Sequence, residues 1–218
     1  MGRENRPGKA RSAIHSPDRF PLSIRDRFPR SIRDTYQIYE WRHASAILKY
    51  DFPVEWDDLM TVLGAFELKR SAILTPGGRK SPIAISVNGM FTRRGWHEDY
   101  FDVSIVVDNT SHKSPTHSVD YFKGRVAIEM EWNNKDPFYD RDLNNFRLLH
   151  QLDVISVGVI ITRADELQDI FDELGRGDSY GQSTTHMNKL IPRVEGGGAG
   201  GCPVLAFGIT KKLYNANA

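Results

Sequence analysis

The sharpest pattern along the chain is an alternation in its second half. Val126, Ile128 and Met130 alternate with Ala127, Glu129 and Glu131. This predicts a strand over Val126–Trp132 with one apolar face and one face carrying both glutamates. Leu143, Phe146, Leu149 and Leu152 follow at intervals of three and predict a helix over Asp140–Leu152. Val154–Thr162 is an apolar, β-branched run of the kind that makes a buried strand. Ala164–Leu174 reads as a helix, Gly196–Gly201 as a glycine-rich loop and Pro203–Thr210 as a strand. In the first half, Tyr36, Tyr39, His43, Ala46, Ile47 and Tyr50 stand at helical spacing and predict a helix over Tyr36–Lys49, ended by Pro53. Trp56, Leu59, Leu63 and Phe66 predict a second helix over Val54–Leu68. Pro76-Gly77-Gly78 is a turn signal. Ile83–Val87 and Phe101–Val107 read as short strands, and Asp108–His117 as a polar loop. The strand–helix–strand order predicts an α/β fold with a central mixed β-sheet flanked by helices, in a single domain over residues 35–218.

Composition fits one sizeable core: 218 residues, 39% hydrophobic, 11% aromatic. No apolar run approaches the ~18 residues of a membrane span, so none is expected. A single cysteine, Cys202, excludes an internal disulfide framework and a Cys-rich zinc site, and reads as a small buried residue. The net charge of +1 averages two unlike parts. Residues 1–33 hold nine basic and three acidic side chains, a net of +6, which leaves −5 for the remainder. The arm over residues 1–34 is rich in Arg, Pro and Ser, and residues 18–25 are nearly repeated by residues 26–33. It reads as disordered or loosely attached, with order beginning near Thr35. Nonspecific phosphate contact and a dispensable extension both remain open for it. It lacks the apolar stretch of a secretory signal.

The chemistry concentrates around the alternating strand. Glu129 and Glu131, two apart, share a face with Cα atoms roughly 6.5–7 Å apart. A bend near Lys123-Gly124 would return Asp120, nine residues upstream of Glu129, to that acidic face. Three close carboxylates repel unless a proton or cation joins them, and hard oxygen ligands suit Mg²⁺. A bound Mg²⁺ activates water and stabilises charge on a phosphoryl oxygen. The spacing alone is equally that of a solvated strand face bearing two glutamates.

The whole segment resembles the PD-(D/E)xK nucleases and, among them, the BglII/BstYI family of type II restriction endonucleases, in which an Asp is followed after eight residues by Glu-x-Gln on a strand. Asp120, Glu129 and Glu131 fall on those positions, in the phrase Arg125-Val-Ala-Ile-Glu129. Gly95-Trp96-His97-Glu98 is similar to a Gly-Trp-x-Glu-like phrase upstream, and His43–Leu48 to the family's opening helix. The resemblance spans roughly residues 36–165. It implies a restriction-endonuclease-like core and a homodimer in the prokaryotic cytoplasm. The implied reaction is Mg²⁺-dependent hydrolysis of double-stranded DNA at a short palindrome with a GATC core. It further implies Asp120 and Glu129 as metal ligands, with Glu131 and Glu98 assisting catalysis and Asp99 the alternative to Glu98. Glu131 departs from the family's Gln and from the superfamily's Lys, following instead the related BamHI pattern. A metal ligand and a proton acceptor are both open for it. A repair or structure-specific nuclease and a non-catalytic DNA-binding protein are the alternative functions.

Two polar segments are candidates for reading DNA. Asn133, Asn134 and Lys135 leave the predicted catalytic strand directly, and the resemblance implies base contacts from this loop. Ser183, Thr184, Thr185 and Lys189 could enter the major groove, or Ser183 or Thr184 could cap a helix. Gly196–Gly201 lacks a Rossmann or Walker frame. His112 and His117 read as solvated loop residues.

Overall fold

The computed structural model describes residues 26–75, 81–114 and 116–218. Its helices are α1 (Arg30–Arg33), α2 (Ala44–Asp51), α3 (Pro53–Ala65), α4 (Arg70–Leu74), α5 (Pro82–Thr92), α6 (Phe138–Gln151), α7 (Leu167–Glu173) and α8 (Met187–Glu195). Its strands are β1 (Tyr36–Trp41), β2 (Leu68–Lys69), β3 (His97–Asp99), β4 (Ser104–Val107), β5 (Thr110–Lys113), β6 (Val119–Lys123), β7 (Val126–Met130), β8 (Val157–Arg163), β9 (Val204–Ile209) and β10 (Tyr214–Asn215).

Six strands form one mixed sheet in the order β1-β9-β8-β7-β6-β3. β7, β8 and β9 run parallel at its centre, and the pairs toward either edge are antiparallel. Every residue of β7, β8 and β9 is buried, because helices cover both faces. On one face Val126, Ile128 and Met130 pack with Leu48, Trp56, Leu59 and Phe91. On the other, Ala127, Ile160 and Ala206 pack with Leu143, Phe146 and Leu190 of α6 and α8. Gly158 on β8 lets the Phe146 ring lie directly on the sheet: a Cβ there would stand 2.3 Å from Phe146 Cδ2. The α/β fold with a central mixed sheet is thus the observed one.

Several local expectations are corrected. Tyr36–Trp41 is a strand, not the first half of a helix. It pairs with β9 along its whole length, from Tyr36↔Ile209 to Trp41↔Val204. Arg42 and His43, at φ 53° and 57°, turn the chain before α2 begins at Ala44. Ile83–Val87 is helical: Ser81 accepts the Ala84 N–H as N-cap, Pro82 stands at the first position, and Ile83, Val87 and Phe91 face the core. Phe101–Val107 contributes only β4, which forms an exposed hairpin with β5 inside the expected loop. Its two turn residues, Asp108 and Asn109, both have positive φ, as a tight hairpin turn requires.

Order begins by Asp26, earlier than Thr35. Phe28 lies 5.2 Å from Trp56 and 6.0 Å from Phe207 between ring centroids, and Ile32 on α1 is fully buried. The second copy of the repeat is therefore part of the packed body. The first copy and the Pro76-Gly77-Gly78 turn lie outside the described residues. Cys202 is buried as expected, which pushes its thiol up to about 12. No helix among the described residues is long and apolar enough to cross a membrane.

Candidate active site

β6 and β7 form a hairpin through Gly124, whose φ of 57° makes the tight reversal. The ladder runs from Lys123↔Val126 to Tyr121↔Ile128. One step further, side chains take over from the backbone. Asp120 Oδ2 accepts the Met130 N–H at 2.9 Å, and Glu129 Oε2 accepts the Asp120 N–H at 3.3 Å. These two bonds tie each carboxyl group to a backbone N–H across the open end of the hairpin and keep Asp120 close enough to Glu129 to act on its charge, as the bend near Gly124 predicted. The glutamate face is not solvated: Glu129 and Glu131 are each 1% exposed. It is roofed by α6, which excludes the surface-face reading of the Glu-x-Glu pattern.

Glu131 Oε2 accepts the Asn134 side-chain N–H at 2.9 Å, and Arg141 Nη2 lies 3.7 Å from Glu131 Oε1. Asp142 on α6, fully buried, accepts two N–H groups of Arg141 on Oδ1 at 2.9 and 3.0 Å. His117 Nε2 lies 3.1 Å from that same oxygen and 3.5 Å from Glu129 Oε1. Asn145, one turn further along α6, donates to the His117 carbonyl at 3.2 Å and fixes its position.

The electrostatics follow from this crowding. Burial raises the Asp120 carboxyl, helped by Asp142 and Glu98 and opposed by the Met130 N–H. Burial and then the neighbouring Asp142 and Asp120 raise Glu129 well above the carboxylate range. Glu131 is pushed up to about 9 by burial, by the charge of Asp142 and by a hydrogen bond to Asp142 that needs Glu131's proton, with Asn134 and Arg141 opposing. Such carboxyls hold protons until a cation replaces them.

Asp120, Glu129 and Glu131 are therefore brought together. Glu98 stands exposed on the edge strand β3 beside β6, close enough to act on Asp120. Buried Trp96 anchors this strand through Nε1, which donates to Asp58 at 3.0 Å. Asp99, the alternative, lies 3.6 Å from His97. His117 is not a solvated loop residue, and it and Asp142 were missed. Among the described residues, the group of ligand-bearing side chains within 4.8 Å of one another is His117, Glu129 and Asp142; Asp120 stands outside it. Asp142 did leave a signal. It occupies a position in the apolar stripe of α6, between Tyr139 and Leu143 on one side and Phe146 on the other, where a buried acid needs a reason.

The two polar segments meet each other. Lys135 and Thr184 form an antiparallel bridge, and Thr185 donates its backbone N–H to Asn134 O at 2.8 Å. Thr185 Oγ1, buried, donates to Glu131 O at 3.2 Å. Thr184 Oγ1 donates to Gly181 O at 2.8 Å and accepts from buried Arg163 at 3.0 Å. Neither Ser183 nor Thr184 caps α8, which starts at Met187; Asp165 accepts the Asn188 N–H there instead. Asn133 sits at φ 60°, half-buried. Lys135 and Ser183 are exposed, and Lys189 lies 3.6 Å from Asp136.

A mixed six-stranded sheet between helical layers, with buried acids where the β6–β7 hairpin meets α6, has the form of the restriction-endonuclease-like fold. The family model described as restriction endonuclease BglII/BglIII matches residues 36–209, and the chain belongs to that family of DNA-cleaving hydrolases. No curated protein matches the chain.

Proposed function

We propose that the chain is a type II restriction endonuclease that hydrolyses phosphodiester bonds of double-stranded DNA at a palindrome with a GATC core, acting as a homodimer with Mg²⁺. The observation that carries this reading is the convergence of Asp120, Glu129 and Glu131 in a chain of this family. The donor set fits a hard divalent ion: the groups are carboxylates, and Glu129 Oε1 is buried without a hydrogen-bond donor. Asp120 and Glu129 would hold the ion. Mg²⁺ bound there supplies activation of water and neutralisation of phosphoryl charge.

The chain's own residues supply the rest. The reciprocal hydrogen bonds keep Asp120 and Glu129 in place without substrate. Glu131, held by Asn134, is the group that carries or accepts a proton beside the reacting phosphate. Arg141, with its side chain 43% exposed and its guanidinium 4.3 Å over the Phe138 ring, offers N–H donors to a phosphate oxygen. Glu98 adds negative charge from the edge. Asn133, Lys135, Ser183 and Lys189 are the groups proposed to face DNA. Asn134, Thr184 and Thr185 shape the loop that presents them. A homodimer follows from the symmetry of a palindrome, in which two related sites cut two strands.

Plasmid digestion tests the reading. Discrete fragments ending at GATC sites with Mg²⁺, abolished by EDTA, are expected. Asp120→Ala and Glu129→Ala should lose cleavage and keep specific binding. Intact DNA in every GATC context from a folded sample refutes it, and a smear or a preference for branched DNA points to a repair nuclease instead.

A further inference from the structure

Four carboxyl groups, of Asp120, Glu129, Glu131 and Asp142, converge with one guanidinium, Arg141. The Asp120–Glu129 position does not use Asp142 or His117. Yet both lie against Glu129, whose Oε1 is buried with no donor, and Asp142 Oδ2 meets no N–H donor, the one further partner of Asp142 being the proton of Glu131 that a cation would replace. Asp142 is fully buried and Glu129 1% exposed. Buried carboxylate oxygens left without a partner are costly, and a cation is the usual remedy.

His117 Nε2 stands 3.5 Å from Glu129 Oε1, beyond a good hydrogen bond, and 3.1 Å from Asp142 Oδ1. A first-row divalent ion sits about 2.0–2.2 Å from nitrogen and oxygen ligands, which sets neighbouring ligand atoms about 3.0–3.6 Å apart. The His117 distances fall in that range, and all three ligand atoms lie within 4.8 Å of one another. Arg141 donates to Asp142 Oδ1, the same oxygen that lies 3.1 Å from His117 Nε2, and leaves Oδ2 without an N–H donor. Asn145 already fixes the His117 backbone.

We propose that His117, Glu129 and Asp142 form a second divalent-metal site, sharing Glu129 with the Asp120 position and selective for borderline ions such as Co²⁺ and Zn²⁺ over Mg²⁺. Imidazole nitrogen sets the selectivity, since Mg²⁺ and Ca²⁺ demand oxygen. Loading requires Nε2 to bind the metal through its lone pair, so any proton it holds toward Asp142 is released. The assignment of Glu129 to both positions rests on the nuclease reading; the three-residue site does not require DNA cleavage.

Co²⁺ titration of the full chain, followed by visible absorption, tests this. Wild type should give a saturable signal that millimolar Mg²⁺ leaves largely in place. His117→Gln and Asp142→Asn should each weaken it by about tenfold or more, while Asp120→Asn retains it. Identical Co²⁺ titrations in wild type and folded His117→Gln overturn the proposal. X-ray absorption of wild type loaded with one equivalent of Zn²⁺ needs no variant to fold: outer-shell scattering from an imidazole supports the site, and its absence overturns it. Co²⁺ binding through His117 without DNA cleavage would sink the nuclease reading alone. Cleavage with Mg²⁺ but no effect of His117→Gln on Co²⁺ would sink this inference alone.

Discussion

Glu131 is the place where this chain departs from the glutamine of the restriction-enzyme pattern it resembles, and the departure has a measurable cost. The side chain is buried, and its carboxyl is pushed from an ordinary 4.5 up to about 9. Between those values the metal-free folded protein holds a proton that the unfolded chain has released. Stability therefore falls as pH rises, by about 1.4 kcal/mol per pH unit at most. Between about pH 5.5 and about pH 8 the loss from this one group reaches ~3 kcal/mol. For a chain of this size that corresponds to about 6–12 °C in Tm. Glu131→Gln removes the titration and keeps the contacts: its amide oxygen accepts from Asn134 and its NH₂ donates to Asp142. The variant's Tm should thus exceed that of wild type by a margin that widens from about pH 5.5 to about pH 8 in EDTA. Below pH ~4.5, where both states carry the proton, the titration contribution vanishes. Circular dichroism melts at the two pH values measure it. A Tm difference that stays constant or narrows with rising pH refutes the account of this site as a store of protons awaiting a cation. Divalent metal should shrink the difference, since binding favours the ionised glutamate.

Other outcomes follow from the packing and the loops. Phe28→Ala should cost about 3–4 kcal/mol, read as a lower denaturant midpoint at unchanged slope; an unaltered midpoint would mean that residues 26–34 do not belong to the body. Gly158→Ala should destabilise by about 1–3 kcal/mol, because Phe146 must leave its place on the sheet; a melting temperature equal to wild type refutes that contact. Lys135→Ala should weaken DNA binding and, if the ammonium meets a phosphate, reduce the salt slope by about one. An equal loss on all sequences marks a phosphate contact, and a loss confined to the cognate site marks base reading.

The legible parts of the fold were those whose pattern has one solution. β8 is buried on both faces, and its β-branched run could be little else; β7 announced itself by alternation, although its acidic face too is buried. The acids owe their legibility to the family resemblance: Asp120, Glu129 and Glu131 lie on two strands joined by a short turn, but the Glu-x-Glu spacing alone is equally that of a solvated strand face. β1 was not. Tyr36 and Tyr39 satisfy a helical period, and what decided the matter was pairing with Val204–Ile209, far along the chain. In α5 the signal is local: Ser81-Pro82 followed by Ile83, Val87 and Phe91 is a capped helix with one apolar stripe, which outweighs the strand-like run Ile83–Val87. His117 owes its role to α6, which brings Asp142 and Asn145 over it. No spacing within Asp108–His117 could report that.

The Thr185 contacts carry an evolutionary consequence. Its amide bonds to Asn134 and its hydroxyl to the Glu131 carbonyl, so the loop proposed to face the bases and the strand that ends in the acids are stitched into one backbone. An insertion or deletion between Gly181 and Met187 would drag the proposed catalytic carboxyls out of position. Lineages that acquire a new target are expected to do so by exchanging the exposed side chains Lys135 and Ser183 at constant loop length, retaining both threonines beneath them. Length variation belongs instead in the exposed β4–β5 hairpin, which carries none of the proposed site residues.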